Sequence, residues 1–302
     1  MEIRIDEESG FCFGVVRAIT RAEEALRSGP VCSLGDIVHN RVEVQRLEGL
    51  GLRTVSHADM EQLAGCRLLI RAHGEPPATY ARARELGIEL IDATCPVVAQ
   101  LQEKVKRAYE RMAPQGGQVV ILGKRGHAEV VGLTGQVDDR ALVIENENDL
   151  EAVDFSLPIH FLSQTTQSIA LFHRLGERMR QRAANPSAVE IDNTICRRVA
   201  NREKRLAAFS RSVDTVVFVC GRKSSNGKVL SEVCRSANPR THVIEEADEW
   251  RSAWAEGTGR IGICGATSTP KWLMQQVAEH IRMQRSAPEP QGQRQEAGGN
   301  GD

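Results

Sequence analysis

Short apolar runs rich in Val, Ile and Leu alternate along the chain with amphipathic stretches of about 10 to 15 residues, the pattern of strand–helix units built into parallel sheets. Gln118-Val119-Val120-Ile121-Leu122, Thr215-Val216-Val217-Phe218-Val219 and Arg260-Ile261-Gly262-Ile263 read as buried strands. After Cys12 the apolar residues Val15, Val16, Ile19, Ala22, Ala25 and Leu26 fall at helical spacing, which stops at Gly29-Pro30. The expected class is α/β with mostly parallel sheets.

The places where strands hand over to helices recur in three kinds, with three copies of each. In the first, the strand ends in Gly and a polar loop: Leu34-Gly35-Asp36-Ile37-Val38-His39-Asn40, Leu122-Gly123-Lys124-Arg125-Gly126-His127-Ala128 and Cys220-Gly221-Arg222-Lys223-Ser224-Ser225-Asn226. His39, His127 and Ser225 sit four residues past the Gly. In the second, a small polar cluster follows the strand: Ile70-Arg71-Ala72-His73-Gly74, Leu162-Ser163-Gln164-Thr165-Thr166 and Cys264-Gly265-Ala266-Thr267-Ser268-Thr269. The third runs strand, Asp, linker, Cys: Ile91-Asp92-Ala93-Thr94-Cys95, Ile191-Asp192-Asn193-Thr194-Ile195-Cys196 and, at the chain start, Ile5-Asp6-Glu7-Glu8-Ser9-Gly10-Phe11-Cys12.

Length alone, 302 residues, suggests about two domains. The repeat divides the chain into three lobes instead: 13–96, 97–195, and 196–285 completed by the N-terminal strand 1–12. Residues 286–302, rich in Pro, Gly, Gln and Glu, are expected to be a disordered tail. Ligands of open parallel sheets bind outside the carboxyl ends of the strands, so three pseudo-equivalent lobes would aim all nine junctions at one shared site.

Lys and Arg number 39 against 40 Asp and Glu, a net charge of −1, and aromatic residues make up 4%. That balance lacks the basic excess and the stacking platforms nucleic-acid binding needs. No run of about 18 apolar residues offers a membrane span, and the acidic start does not read as a signal peptide, so a cytoplasmic protein is expected. Thiols stay reduced there, and no C-x-x-C pair occurs among the eight cysteines.

Cys12, Cys95 and Cys196 precede helices, where the partial positive charge of the helix N-terminus favours a thiolate. A single cysteine at such a place reads as a small core residue; three at equivalent junctions suit an iron–sulfur cluster with one iron free of protein ligands. Cys32, Cys66, Cys220, Cys234 and Cys264 lack the pattern and are assigned to packing. His39, His73 and His127, with Thr165, Ser224, Ser225, Asn226 and Ser268, supply many donors and little bulk, an anion cradle fit for phosphate oxygens. Glu129, two residues after His127, is the carboxylate nearest this chemistry, and a raised pKa would let it deliver protons. Lys and Arg along the helices read as solvated faces.

Gly10-Phe11-Cys12-Phe13-Gly14-Val15, Val38-His39-Asn40, Ala72-His73-Gly74, Asp92-Ala93-Thr94-Cys95-Pro96, Gly126-His127-Ala128-Glu129-Val130, Ser163-Gln164-Thr165-Thr166, Asp192-Asn193-Thr194-Ile195-Cys196, Ser224-Ser225-Asn226 and Ser268-Thr269-Pro270 occur in this order. Together they resemble the 4-hydroxy-3-methylbut-2-enyl diphosphate reductase family, iron–sulfur enzymes of the methylerythritol phosphate route to isoprenoids, over about residues 2–282. The resemblance implies three lobes around a [4Fe-4S] cluster on Cys12, Cys95 and Cys196, whose open iron takes the substrate's allylic oxygen. It implies that His39, His73, His127, Ser224, Ser225, Asn226 and Ser268 hold the diphosphate. Glu129 and Thr165, with His127 beside them, would form the catalytic group, Thr165 meeting the substrate hydroxyl. A ferredoxin or flavodoxin would supply electrons, with no nucleic acid or membrane as partner. Where the family commonly shows a small or aromatic residue and then Ala-Thr after the third cysteine, this chain has Arg197-Arg198-Val199-Ala200; its Gly-His-Pro-Glu is Gly126-His127-Ala128-Glu129. The alternatives are a paralogue acting on a related allylic diphosphate, a redox-neutral hydro-lyase at the open iron, and a noncatalytic cluster-binding protein.

Overall fold

The computed structural model describes residues 1–63 and 65–286. Apart from Ser286, the tail expected over 286–302 lies outside the described residues.

Three four-stranded sheets, parallel throughout, form the molecule, and the α/β class is the one expected. The first contains β2 (Val31–Leu34), β3 (Leu52–Val55), β4 (Arg67–Ile70) and β5 (Glu89–Asp92) in the order β3-β2-β4-β5. The second contains β6 (Gln118–Leu122), β7 (Leu142–Ile144), β8 (Ile159–Ser163) and β9 (Val189–Ile191) in the order β7-β6-β8-β9. The third contains β10 (Thr215–Val219), β11 (Thr241–Ile244) and β12 (Arg260–Gly265), and β1 (Glu2–Ile5) completes it beside β12, pairing Glu2 with Arg260 and Ile5 with Ile263. Strand order is the same in all three, so the circular shift read from the junctions is the topology of the molecule. Central strands β6, β8 and β10 are apolar almost without interruption because helices cover both faces of their sheets.

Each cysteine of the trio is the last residue before the chain leaves one sheet for the next. Cys12 follows β1 and caps α1 (Phe13–Leu26), whose Ala18, Ile19 and Ala22 pack with Val31 and Leu69 of the first sheet. Cys95 follows β5 and caps α4 (Pro96–Met112), whose Leu101, Val105 and Ala108 pack on Val119, Ile121 and Leu162 of the second. Cys196 follows β9 and caps α7 (Arg197–Arg211), whose Leu206 packs on Val216 and Phe218 of the third. These three crossings close the cycle and set the cysteines around its centre.

One expectation fails on α1. Val16 is 47% exposed, and the buried stripe is Gly14, Ala18, Ile19 and Ala22. A residue two places from Gly14 and from Ala18 lies on the opposite side of a 3.6-residue turn, so Val16 faces out.

Candidate functional site

In every sheet the strand order reverses between its first two inner strands: β2 and β4, β6 and β8, β10 and β12. The crevice at such a reversal is where parallel sheets bind ligands. The loops after these six strands, together with the three cysteine junctions, line one cavity at the centre of the molecule.

The cysteines are held equivalently. Cys12 N–H donates to Thr267 O (3.0 Å), Cys95 N–H to Ala72 O (3.0 Å) and Cys196 N–H to Thr165 O (2.9 Å), each acceptor lying just past the strand neighbouring the cysteine's own. All three thiols line the cavity. Burial pushes the Cys12 thiol up more than the Gly14 and Val15 N–H groups pull it down, so the thiolate favoured by the helix terminus also needs a cation. Gly14 tests the fit of a shared group: a Cβ there would meet Cys95 Sγ at 2.8 Å and Cys12 Sγ at 3.9 Å, so the missing side chain lets the two thiols face the same space. Among the described residues the cysteines do not converge as ligands of one ion; only His39, His73 and His127 bring ligand atoms within 4.8 Å of one another. An iron–sulfur cluster carries its thiolates further apart than one ion does, and three thiols from three helix starts suit it.

Histidine tautomers follow from the hydrogen bonds. His127 Nδ1 accepts from Glu129 N–H (3.2 Å) and from the Gln164 side-chain amide (3.1 Å), so its proton sits on Nε2. That N–H points at His39 Nε2, 3.2 Å away. Ring centroids of His39, His73 and His127 lie 4.9 to 5.2 Å apart. Burial lowers all three imidazoles, helped by Arg71: His39 to about 4, His127 to about 3, and His73 well below the usual range. They are neutral donors awaiting a charge.

The third sheet completes the cradle. Ser224 caps α8 (Ser225–Ala237) by accepting from Gly227 N–H, and its hydroxyl lies 3.1 Å from that of Ser268. Asn226 Oδ1 accepts from Thr267 N–H (3.0 Å) and Oγ1 (2.7 Å), which turns its amide NH2 away from Thr267. Asn226 Nδ2, Ser225 Oγ, His39 Nδ1 and His73 Nδ1 are buried without a partner among the described residues. Four orphaned polar atoms around one cavity mark a place where a ligand supplies the missing bonds.

Glu129, in the first turn of α5 (Ala128–Thr134), is 1% exposed. Thr165 N–H and Oγ1 donate to its two carboxylate oxygens at 2.7 and 2.9 Å. Burial outweighs those donors and raises Glu129 to about 7, a carboxyl that both gives and takes a proton near neutrality.

A family model described as LytB protein matches residues 3–282. The chain belongs to this family of 4-hydroxy-3-methylbut-2-enyl diphosphate reductases. A relative of that name from Parabacteroides distasonis is 50% identical over 283 residues, covering 93% of this chain and 98% of its own. Another, from Chloroherpeton thalassium, is 48% identical over 308 residues, covering 93% and 96%. A solved structure described as (E)-4-hydroxy-3-methyl-but-2-enyl diphosphate reductase, the terminal enzyme of the non-mevalonate pathway, superposes with a TM-score of 0.68 at 33% identity over 94% of this chain and 100% of that one. The Plasmodium falciparum reductase shares the fold, with a TM-score of 0.83 at 24% identity over 92% of this chain and 87% of that one. By its membership the chain is an oxidoreductase.

Cys12, Cys95, Cys196, His39, His73, His127, Glu129, Thr165, Ser224, Ser225, Asn226 and Ser268, singled out from the sequence, all line the central cavity of this LytB-family chain. Sequence reasoning missed the residues that orient them. Gln164 and Thr267 stood inside quoted motifs, but their work lies in bonds to His127 and Asn226 across the fold. Arg71, just past β4 and outside the helices, was given no role: it donates to Asp36 O (3.2 Å), its Nε is buried, and its guanidinium fills the space over Gly35. The other five cysteines are packed as expected, Cys32 in one core cluster with Cys66 against it, and Cys220, Cys234 and Cys264 in another.

Proposed function

We propose that this chain catalyses reductive dehydroxylation of (E)-4-hydroxy-3-methylbut-2-enyl diphosphate to isopentenyl and dimethylallyl diphosphate. The balance is one substrate, two electrons and two protons giving one five-carbon diphosphate and one water. Cys12, Cys95 and Cys196 would hold a [4Fe-4S] cluster, one from each of three lobes divided at 13–96, 97–195 and 196–285 with 1–12. When bound, that cluster supplies single-electron reduction and one iron open to the substrate oxygen. Electrons come one at a time from a ferredoxin or flavodoxin, in the reducing cytoplasm where all eight cysteines stay free.

The protein's own groups bind, orient and protonate. His39, His73, His127, Ser224, Ser225, Asn226 and Ser268 donate hydrogen bonds to the diphosphate, and Arg71 strengthens the local positive field. Binding at that end fixes the hydroxylated end near Thr165. Glu129 passes its proton through the Thr165 hydroxyl to the leaving oxygen, which departs as water. Val38, Ala72, Val98 and Val199 also line the cavity and exclude bulk water from the hydrocarbon.

The observation that carries this reading is the convergence of three cysteines at helix starts, four polar atoms unpartnered among the described residues and a buried glutamate on one cavity. Cluster-replete protein, supplied anaerobically with reduced methyl viologen, is expected to release both five-carbon products. Turnover without a reductant would assign the site to redox-neutral chemistry instead; absence of both products with a reductant would remove the assignment.

A further inference from the structure

Three of the eight exposed large hydrophobic residues crowd around the cysteine junctions: Phe13 is 51%, Val16 47% and Val97 38% exposed. Phe13 and Val16 lie on the first turn of α1, Val97 on that of α4. The Arg198 guanidinium sits 5.3 Å from the Phe13 ring centroid and joins the start of α7 to this patch. Beside it runs a groove lined by Val97, Gln100, Lys104, Cys196, Arg197 and Arg198 among others, and by no Asp or Glu.

Two features set this surface apart. Cys196 and Val97 line both the groove and the central cavity, so a group bound to the Cys196 sulfur on the inside lies one side chain from a partner on the outside. Arg197 and Arg198 are exposed, and neither has a carboxylate partner among the described residues. Lys104 is paired with Asp192 at 2.9 Å. Arg17 and Arg21, from α1, donate to Thr94 O and Asp92 O, close before Cys95 in the chain. On a chain of net charge −1, an apolar centre flanked by Arg197 and Arg198, neither paired with a carboxylate among the described residues, is complementary to an acidic protein.

We infer that the groove at Cys196 and the adjoining Phe13–Val16–Val97 patch are the docking surface for an acidic one-electron carrier protein. Each docking oxidises the carrier by one electron and reduces the holoprotein by one, through Cys196; two dockings supply the pair consumed per turnover. The inference rests on the reductase reading proposed above.

The test compares two donors on cluster-replete protein: an acidic ferredoxin and dithionite-reduced methyl viologen. In R197E/R198E the KM for ferredoxin is expected to rise about tenfold or more at low salt, and the difference to shrink as salt is added. Turnover with viologen stays within about twofold of the parent, and iron content is unchanged. K104E, away from the cysteine itself, is expected to raise the ferredoxin KM in the same direction. Unchanged ferredoxin KM in both variants, with normal viologen turnover, overturns the docking surface and leaves the reductase reading intact. Equal loss with both donors at full iron content also overturns it, since the arginines would then act on the reaction rather than on docking. Failure of the parent protein with both donors strikes the reductase reading itself, and failure with ferredoxin alone overturns the docking surface.

Discussion

A carboxyl group buried at 1% exposure with two donors on it is the residue where charge and chemistry meet. Glu129→Gln keeps the shape and the Thr165 N–H bond but removes the transferable proton. A fall in kcat of about 10² or more, with iron content and substrate affinity retained, is expected; an unchanged rate would leave Glu129 with no part in proton delivery. The same residue makes the apoprotein pH-sensitive. Its carboxyl titrates at about 7 folded against 4.5 unfolded, so the native state binds more protons and stability falls as pH rises through that window. At about 1.4 kcal/mol per unit, the variant should gain up to about 3 kcal/mol over the parent above pH 7 and lose that advantage toward pH 4.5, as read by urea unfolding. On stability the histidines act with the opposite sign, because burial lowers them and the native state binds fewer protons than the unfolded chain. His39 at about 4 and His127 at about 3 are neutral in the free protein, and an arriving diphosphate raises them. Binding therefore takes up protons and weakens as pH rises; pyrophosphate titrations in two buffers of different ionisation enthalpy should show the uptake, and identical heats would contradict it.

Helix starts place the thiols, and one glycine governs how closely they gather. A Cβ on Gly14 would press on Cys95 Sγ at 2.8 Å and Cys95 Cβ at 3.0 Å, so Gly14→Ala must shift α1 or α4, an overpacking cost of about 1–3 kcal/mol. Reconstituted iron and sulfide are expected to drop well below the parent's while far-ultraviolet circular dichroism stays the same; full iron loading would show that the approach is not needed. The contact also shows where sequence reading stops. Junctions such as Gly123 to His127 and Asp92 to Cys95 are local, a strand end and a capping residue, so their threefold recurrence and the cavity they share were legible from the chain. Gly14 against Cys95, Arg71 beneath Gly35 and Gln164 on His127 join residues tens of positions apart, and nothing in local spacing announces them. Val16 was misplaced for a related reason: an apolar residue fits a helical pattern whether it faces a sheet or a partner outside the chain.

Across the whole molecule, the proposed function depends on how tightly the third lobe seats against the first, because most of the proposed diphosphate donors come from these two. Trp272 in α9 (Lys271–Ser286) donates to Glu43 Oε2 (3.0 Å) in α2 (Arg41–Gly49), and Lys223 lies 3.9 Å from Asp36. Between these ties the backbones nearly touch: a Cβ on Gly221 would fall 2.2 Å from His39 O and 3.1 Å from Asn40 Cα. Backbone cannot swing aside as a long side chain can, so Gly221→Ala must move the loop carrying Ser224, Ser225 and Asn226 away from His39. Donors built to converge on one anion then no longer reach it together. Pyrophosphate affinity is expected to fall about tenfold or more, corresponding to a strain on the order of 1–3 kcal/mol. Gly49→Ala at the end of α2, where a Cβ meets nothing within 4 Å, supplies the contrast: unchanged affinity and a stability gain of about 0.5–1 kcal/mol. Equal affinities in Gly221→Ala and the parent would mean that the cradle forms without this contact, and that side-chain ties such as Trp272–Glu43, Lys223–Asp36 and Arg41–Glu246 are enough to seat the two lobes.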